Sequence, residues 1–342
     1  MRKFIYLLLL GSSLFLGCTD GDDVDDIVPI QPDIDTLSLG VYVQENQWIY
    51  KEMNHHYLWR EDLPDSAKCN YLLDPVSFFK SLLSPKDRFS YCEHNEYYRP
   101  ETRTKNSQYG PNTVLCDSIY EEGEHRIGYL CYGSFDTTND LEPVLKAFYE
   151  SQITDLVLDL RYNGGGLIST CQYLCSSIVP EEAYGRQMQY LKYNSVVTGE
   201  RVRYGLSAVT SYNFKRASNG QATIGQQIYG LNLKRIVVLV SRQTASASES
   251  SIICLKPYMD VITIGERTTG KGVGMETLYN EKCKYKLVPI TFQYYNSQDE
   301  TVPEDGIEPD ITVPDVYQID YSQIGERDEP LLNLPLQEII TK

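Results

Sequence analysis

Three short segments hold residue types suited to making and breaking an acyl bond. The first is Thr244-Ala245-Ser246-Ala247-Ser248-Glu249, which follows the apolar run Arg235 to Val240 and precedes another containing Ile252, Ile253 and Leu255. A serine at a strand-to-helix junction sits beside the partial positive charge of a helix start, where an alkoxide or oxyanion is stabilised. The alanines on either side of Ser246 let a carbonyl approach. Ser246 with Glu249 three residues on is also a capping box, which serves the helix and needs no catalysis. The second segment is Asp159-Leu160-Arg161-Tyr162-Asn163-Gly164-Gly165-Gly166. Three consecutive glycines leave N–H groups uncovered and reach dihedral angles closed to other residues, which suits a loop that binds an anionic oxygen; a tight strand-to-helix turn is the alternative. The spacing is not that of a dinucleotide or phosphate loop. The third is Lys271, between Gly270 and Gly272 and twenty-five residues beyond Ser246. A lysine is a general base only when neutral, and burial lowers its pKa because desolvation disfavours the ammonium. The flanking glycines let its stem fold inward; an exposed turn lysine is the alternative.

The elements needed to position these segments are legible around them. From about Thr113 onward, strands alternate with helices: Arg126 to Tyr132 reads as a strand, Leu141 to Glu150 as a helix and Asp155 to Leu160 as a strand that is apolar almost throughout. Arg235 to Val240 and Val261 to Ile264 are further strands. Near-continuous apolar strands separated by helices imply a sheet covered on both faces, an α/β architecture. Loops that follow such strands are where α/β folds commonly place chemistry. Upstream, Ile49, Met53 and Tyr57 recur at four-residue spacing in a helix that the pattern carries to Pro64, and Phe78, Phe79, Leu82 and Leu83 mark another before Pro85. This predicts a helical domain over 41–92, a connector over 93–112, an α/β core over 113–325 and a tail over 326–342.

Taken together, the segments resemble the carboxyl-terminal processing (tail-specific) family of serine peptidases. The matching stretches are IGYL at 127–130, DLRYNGGG at 159–166, TASASE at 244–249, GERTTGKG at 265–272 and GIEPDITV at 306–313, in the same order and spacing. The resemblance implies a ClpP/crotonase-like core with Ser246 as nucleophile and Lys271 as general base. It places the oxyanion hole at the N–H of Ala247 and a glycine of the 164–166 run, Gly165 or Gly166. It implies a polypeptide substrate, an acyl-enzyme and no metal or organic cofactor. DRFS at 87–90 resembles the family's N-terminal domain in Bacteroidetes lipoproteins. Three departures stand out. The connector at 93–112 leaves no room for the PDZ domain that members usually carry there. Met275 stands four residues after Lys271, where many relatives have a glutamine supporting the lysine, and Pro257 stands where some have an aspartate. A non-catalytic surface lipoprotein that binds peptide or glycan through the same fold is therefore the second expectation. An acyl-CoA enzyme of the crotonase type is disfavoured by export.

Export is read from the N-terminus. Arg2 and Lys3 precede a thirteen-residue apolar run, Phe4 to Leu16, then Gly17 and Cys18. A basic start and so short an apolar run make a secretory signal over 1–17 rather than a membrane span. A small residue directly before the cysteine resembles a bacterial lipobox, implying lipidation of Cys18 and anchorage to the outer membrane, on its periplasmic or surface-exposed face. Residues 18–40, rich in aspartate, read as a solvated tether. The chain of 342 residues carries 47 acidic against 31 basic side chains, a formal charge of -16, with no basic run, which argues against a nucleic-acid partner. With 42% hydrophobic residues it is a folding sequence, not a disordered one. Beyond Cys18 there are eight cysteines, an even number that permits disulfides without specifying them. Cys171 and Cys175, four apart on a predicted helix, lack a second ligand pair and read as buried thiols.

Overall fold

A computed structural model describes residues 40–95, 113–197, 203–206, 214–215, 222–223, 228–280, 283–313, 323–327 and 329–341. The expected signal, Cys18, the tether up to residue 39 and the connector from 96 to 112 lie outside the described residues. Val41–Lys342 form one compact unit.

The helical segment is built on α1 (Val43–His56) and α2 (Pro75–Ser81). Ile49 and Met53 on α1 are buried together with Phe78, Phe79 and Leu82, the outcome expected from their spacing. Helix α2 begins where Pro75 fits the first turn without losing a bond and the Asp74 carboxylate accepts the Ser77 N–H at 3.0 Å. The first helix stops well short of Pro64, because Tyr57 turns extended (φ -63, ψ 130). Its ring enters the small core and its hydroxyl donates to Asp87 Oδ2 at 2.7 Å, so tertiary packing ended the helix before proline did.

The core is a six-stranded sheet in the order β15-β10-β9-β4-β3-β2, formed by β2 (Val114–Glu122), β3 (His125–Tyr132), β4 (Asp155–Asp159), β9 (Arg235–Val240), β10 (Asp260–Gly265) and β15 (Ile311–Thr312). All neighbours run parallel except β2 and β3. Every residue of β4 is buried, and the alternation of the strand explains why. Leu156 and Leu158 enter the cluster shared with α3 (Leu141–Glu150), α4 (Ile168–Ile178) and α5 (Ala247–Leu255). Val157, with Val237, Leu239 and Ile127, faces the opposite side, where Leu331, Leu332, Leu336 and Ile339 of α6 (Pro330–Thr341) cover it. Residues set apart in the sequence as a tail are thus the sheet's second cover. Pro335 inside α6 masks its helical signal.

Two antiparallel sheets, invisible to the strand-helix alternation, complete the fold. One has the order β11-β14-β5-β6, from β5 (Gln187–Tyr193), β6 (Arg203–Gly205), β11 (Val273–Met275) and β14 (Ile290–Asn296). The other joins β1 (Tyr91–His94) to β13 (Tyr285–Val288) and β12 (Leu278–Tyr279), so the helical segment runs directly into the core by backbone pairing. A short pair, β7 (Phe214–Lys215) and β8 (Ala222–Thr223), stands apart from these sheets. The eight cysteines after Cys18 are free thiols; Cys171 and Cys175 lie on α4, buried, with their sulfurs 4.0 Å apart. Among the described residues no helix is long and apolar enough to cross a membrane, and no three His, Cys, Asp or Glu side chains group as a metal site would need.

Candidate active site

The site is assembled at the carboxyl ends of β4, β9 and β10, from three loops that are stitched to one another. After β9 the chain turns through Ser241 to Ser246 and enters α5. Ser246 holds φ +56, ψ -117, a backbone state costly for a residue with a side chain and typical of a nucleophile carried on a sharp strand-to-helix turn. It lies directly before the first helical residue, so its side chain is close to the positive end of α5.

The loop after β4 is bonded to this turn at several points. Thr244 Oγ1 donates to the Leu160 carbonyl at 2.8 Å, Ser248 Oγ to the Asn163 carbonyl at 2.9 Å and Ser241 Oγ to the Arg161 carbonyl at 2.5 Å. Gly165 adopts φ +105, and a Cβ there would come within 2.8 Å of Ser246 Cβ and 2.9 Å of the Ala247 nitrogen. Glycine at 165 is therefore required by close approach to the serine. Its N–H is committed to Asn163 Oδ1 at 2.9 Å. Gly166, at φ +147, packs on the Phe135 backbone. No described residue accepts the N–H of Gly166 or of Ala247. The base of this loop is fixed by Arg161, whose buried guanidinium grips Asp159 through Nε at 2.9 Å and reaches Glu329, at the start of α6, at 2.6 Å.

Lys271 comes from the loop after β10. Gly270 before it has φ +79, and Lys271 is half-buried, not an exposed turn lysine. Desolvation pushes its pKa below the ordinary 10.5, while the Glu249 carboxylate works in the opposite direction. Its ammonium lies 5.3 Å from the centroid of the Phe89 ring.

Glu249, foreseen only as a capping partner, joins serine and lysine. It is fully buried on α5. One oxygen, Oε2, accepts the Ser246 N–H at 2.9 Å and the Lys271 N–H at 2.8 Å; Oε1 accepts the Gly270 N–H at 2.7 Å and the Thr268 hydroxyl at 2.5 Å. Four donors saturate the carboxylate. On the other side of the two backbones, the buried Tyr294 hydroxyl lies 2.9 Å from the Ser246 carbonyl and 2.7 Å from that of Lys271, so its one proton is shared between them. Tyr294 was missed in the sequence because β14 belongs to the antiparallel sheet that no motif announces. Of the residues singled out, Ser246, Ala247, Gly165, Gly166 and Lys271 are thus gathered in one place. Met275 is half-buried on β11, next to a register shift against β14, and Pro257 lies just beyond α5.

An unusual serine backbone at a helix start, a desolvated lysine tied to the same carboxylate and two N–H groups without acceptors suit acyl transfer. Comparison with known families agrees. Residues 126–313 match Peptidase family S41, residues 44–91 match the Peptidase S41 N-terminal domain, and the chain belongs to this family. It is 24% identical over 192 residues to the chloroplastic carboxyl-terminal-processing peptidase 1 of Arabidopsis thaliana, covering 56% of this chain and 34% of that one. It is 23% identical over 229 residues to the carboxy-terminal processing protease CtpB of Bacillus subtilis, covering 66% of this chain and 42% of that one. The chain thus spans less than half the length of these relatives. Among solved structures, an S41-family chain from Bacteroides fragilis NCTC 9343 superposes with a TM-score of 0.69 at 21% identity, over 85% of this chain and 96% of that one. A lipoprotein from Streptococcus agalactiae follows at 0.51 and 16% identity, over 88% and 95%. At these identities the likeness bears on the fold.

Proposed function

We propose that the protein is a serine endopeptidase acting on exported or extracellular polypeptides through a Ser246/Lys271 dyad. The observation that carries this reading is the shared Glu249 carboxylate oxygen, which holds the N–H groups of Ser246 and Lys271 together while burial lowers the lysine's proton affinity. Neutral Lys271 takes the Ser246 Oγ proton as the oxygen attacks a peptide carbonyl. The negative charge that develops on the carbonyl oxygen is met by the N–H groups of Ala247 and Gly166; Gly165, whose N–H is spent on Asn163, serves by its lack of a side chain. The lysinium then protonates the leaving amine. Water, deprotonated by the same lysine, hydrolyses the acyl-enzyme. No step calls for a cofactor.

The test is hydrolysis of an unfolded protein by the wild type, Ser246→Ala and Lys271→Ala. Loss in both variants supports the dyad; activity unchanged in either removes it. The alternative, a lipoprotein that binds peptide or glycan without cutting it, draws on Met275, whose thioether offers no amide to orient the lysine. Covalent labelling of Ser246 by a serine-directed fluorophosphonate separates the two.

The location completes the proposal. A basic start, an apolar run ending in Gly17-Cys18 and an aspartate-rich stretch support a lipid anchor on Cys18 at the outer membrane. Radiolabelled palmitate should enter the wild type and not Cys18→Ser; equal labelling would contradict the assignment.

A further inference from the structure

The DRFS tetrapeptide of the helical segment lies outside the dyad, yet each of its side chains is committed near it. The Asp87 carboxylate closes the turn, Oδ1 accepting the N–H of Phe89 and of Ser90 at 2.9 Å each. Its other oxygen takes the Tyr57 hydroxyl at 2.7 Å, which ties the turn to the end of α1. Ser90 Oγ accepts the Ile290 N–H at 2.8 Å, fastening the turn to β14, the strand that carries Tyr294. Between these two anchors the remaining residues point at the lysine loop. Arg88 donates to the Gly270 carbonyl and to the Glu304 carbonyl, both at 2.8 Å. It thereby clamps the residue directly before Lys271 to the 303–306 turn. Phe89 lies with its ring 4.8 Å from the Arg88 guanidinium carbon and 5.3 Å from the Lys271 nitrogen.

We propose that Phe89 and Arg88 are positioning residues for Lys271, so that the helical segment completes a catalytic centre whose dyad belongs to the α/β core. This rests on the Ser/Lys reading above. The two residues divide the work. Arg88 holds the lysine loop through the Gly270 carbonyl, complementing Glu249, which holds the N–H groups of Gly270 and Lys271. Phe89 closes the approach of water to the amine. Among the described residues, the charged and titratable groups around Lys271 are Glu249 from α5, bonded to its N–H; the Arg88 guanidinium, turned to the carbonyls; and Tyr294 from β14, on its carbonyl. An aromatic face attracts an ammonium, and the Glu249 carboxylate does the same, yet the pKa of Lys271 is lowered on balance by burial. Burial thus decides the sign of the shift, and with the Phe89 ring supplying part of that burial, as proposed, removing it returns the lysine toward its ordinary value.

The experiment reads the lysine itself and the turnover separately. Competitive acetylation of the full chain with acetic anhydride, followed across pH by peptide mapping, reports the fraction of Lys271 that is neutral, whether or not the protein cleaves anything. In Phe89→Ala the midpoint should move to higher pH, and at neutral pH kcat should fall about tenfold with KM little changed. Phe89→Val, which keeps an apolar side chain for folding but is too short to cover the amine, should do the same, and Phe89→Tyr should restore both. Arg88→Met should lower kcat without moving the midpoint. An unchanged midpoint and kcat in both ring-less variants would overturn the inference while leaving the dyad intact. A shifted midpoint in a chain that cuts no polypeptide would overturn the Ser/Lys peptidase reading instead.

Discussion

At the scale of single residues the site depends on a carboxylate that never needs to touch substrate. Glu249 accepts four hydrogen bonds, and Glu249→Gln would turn one carboxylate oxygen into a donor that, in either amide orientation, faces at least one backbone N–H it now accepts. With buried donors left unpaired at about 1–3 kcal/mol each, the variant should lose about 3 kcal/mol in denaturant unfolding. Because the displaced backbones carry both Ser246 and Lys271, kcat should drop about a hundredfold. Lys271 makes the opposite trade. Below its folded pKa it is charged in both states, and burying the ammonium weakens the fold. Between that value and 10.5 the unfolded chain binds the extra proton, so stability climbs with pH; above 10.5 the lysine is neutral in both states. Lys271→Met should therefore raise Tm at neutral pH while abolishing hydrolysis, and the difference in Tm should close toward alkaline pH. Ser246, Lys271 and the glycines could be singled out in the sequence because the chemistry proposed for them is tied to residue type, and the fold brings them together. The role of Glu249 was half-legible, since a capping pair explains its spacing equally well. Tyr294 was not legible, one tyrosine among 28.

At the scale of elements, the loops after β4 and β9 work as a pair because one must pass through the space the other leaves. Gly165→Ala would place a methyl 2.8 Å from Ser246 Cβ at a backbone angle alanine avoids. It should fold with a penalty of about 1–3 kcal/mol and lose fluorophosphonate labelling of Ser246, where a merely destabilised protein would still label when folded. Helix α6 holds the same loop from below through Glu329 and Arg161. Glu329→Gln leaves Arg161 with only Asp159 in a buried setting, and Leu332→Ala empties a fully buried position. Each should lower stability by about 2–5 kcal/mol, readable by urea unfolding. Four of the strands in parallel pairing, β3, β4, β9 and β10, were read to within a residue of their observed limits, because burial on both faces writes an apolar run that needs no context; the two-residue β15 was too short to show one. Helix α6 was set aside as a tail because Pro335 hides its period, and the antiparallel sheet through β5 and β14 was missed because its strands bury polar residues, Gln189 and Asn296 among them, and so write neither an apolar run nor a clean alternation.

At the scale of the whole molecule, a helical segment, a doubly covered parallel sheet and an antiparallel layer converge on one lysine loop. α5 supplies Glu249, β14 supplies Tyr294, and the turn at 87–90 supplies Arg88 and Phe89. A resemblance over five short segments pointed to a family, and the matches over 44–91 and 126–313 place the chain in it. What no sequence pattern announced is that the helical segment reaches the lysine, since that contact depends on β1 pairing with β13 far along the chain. The decisive measurement is the pH dependence of peptide-bond cleavage in an unfolded protein, with product termini identified by mass spectrometry, for the wild type, Ser246→Ala and Lys271→Ala. A rate that rises through a single ionisation below 10.5 in the wild type and falls by about a thousandfold or more in both variants is the expected result. Cleavage that persists in either variant, or a wild-type rate that shows no rise with pH below 10.5, would contradict it.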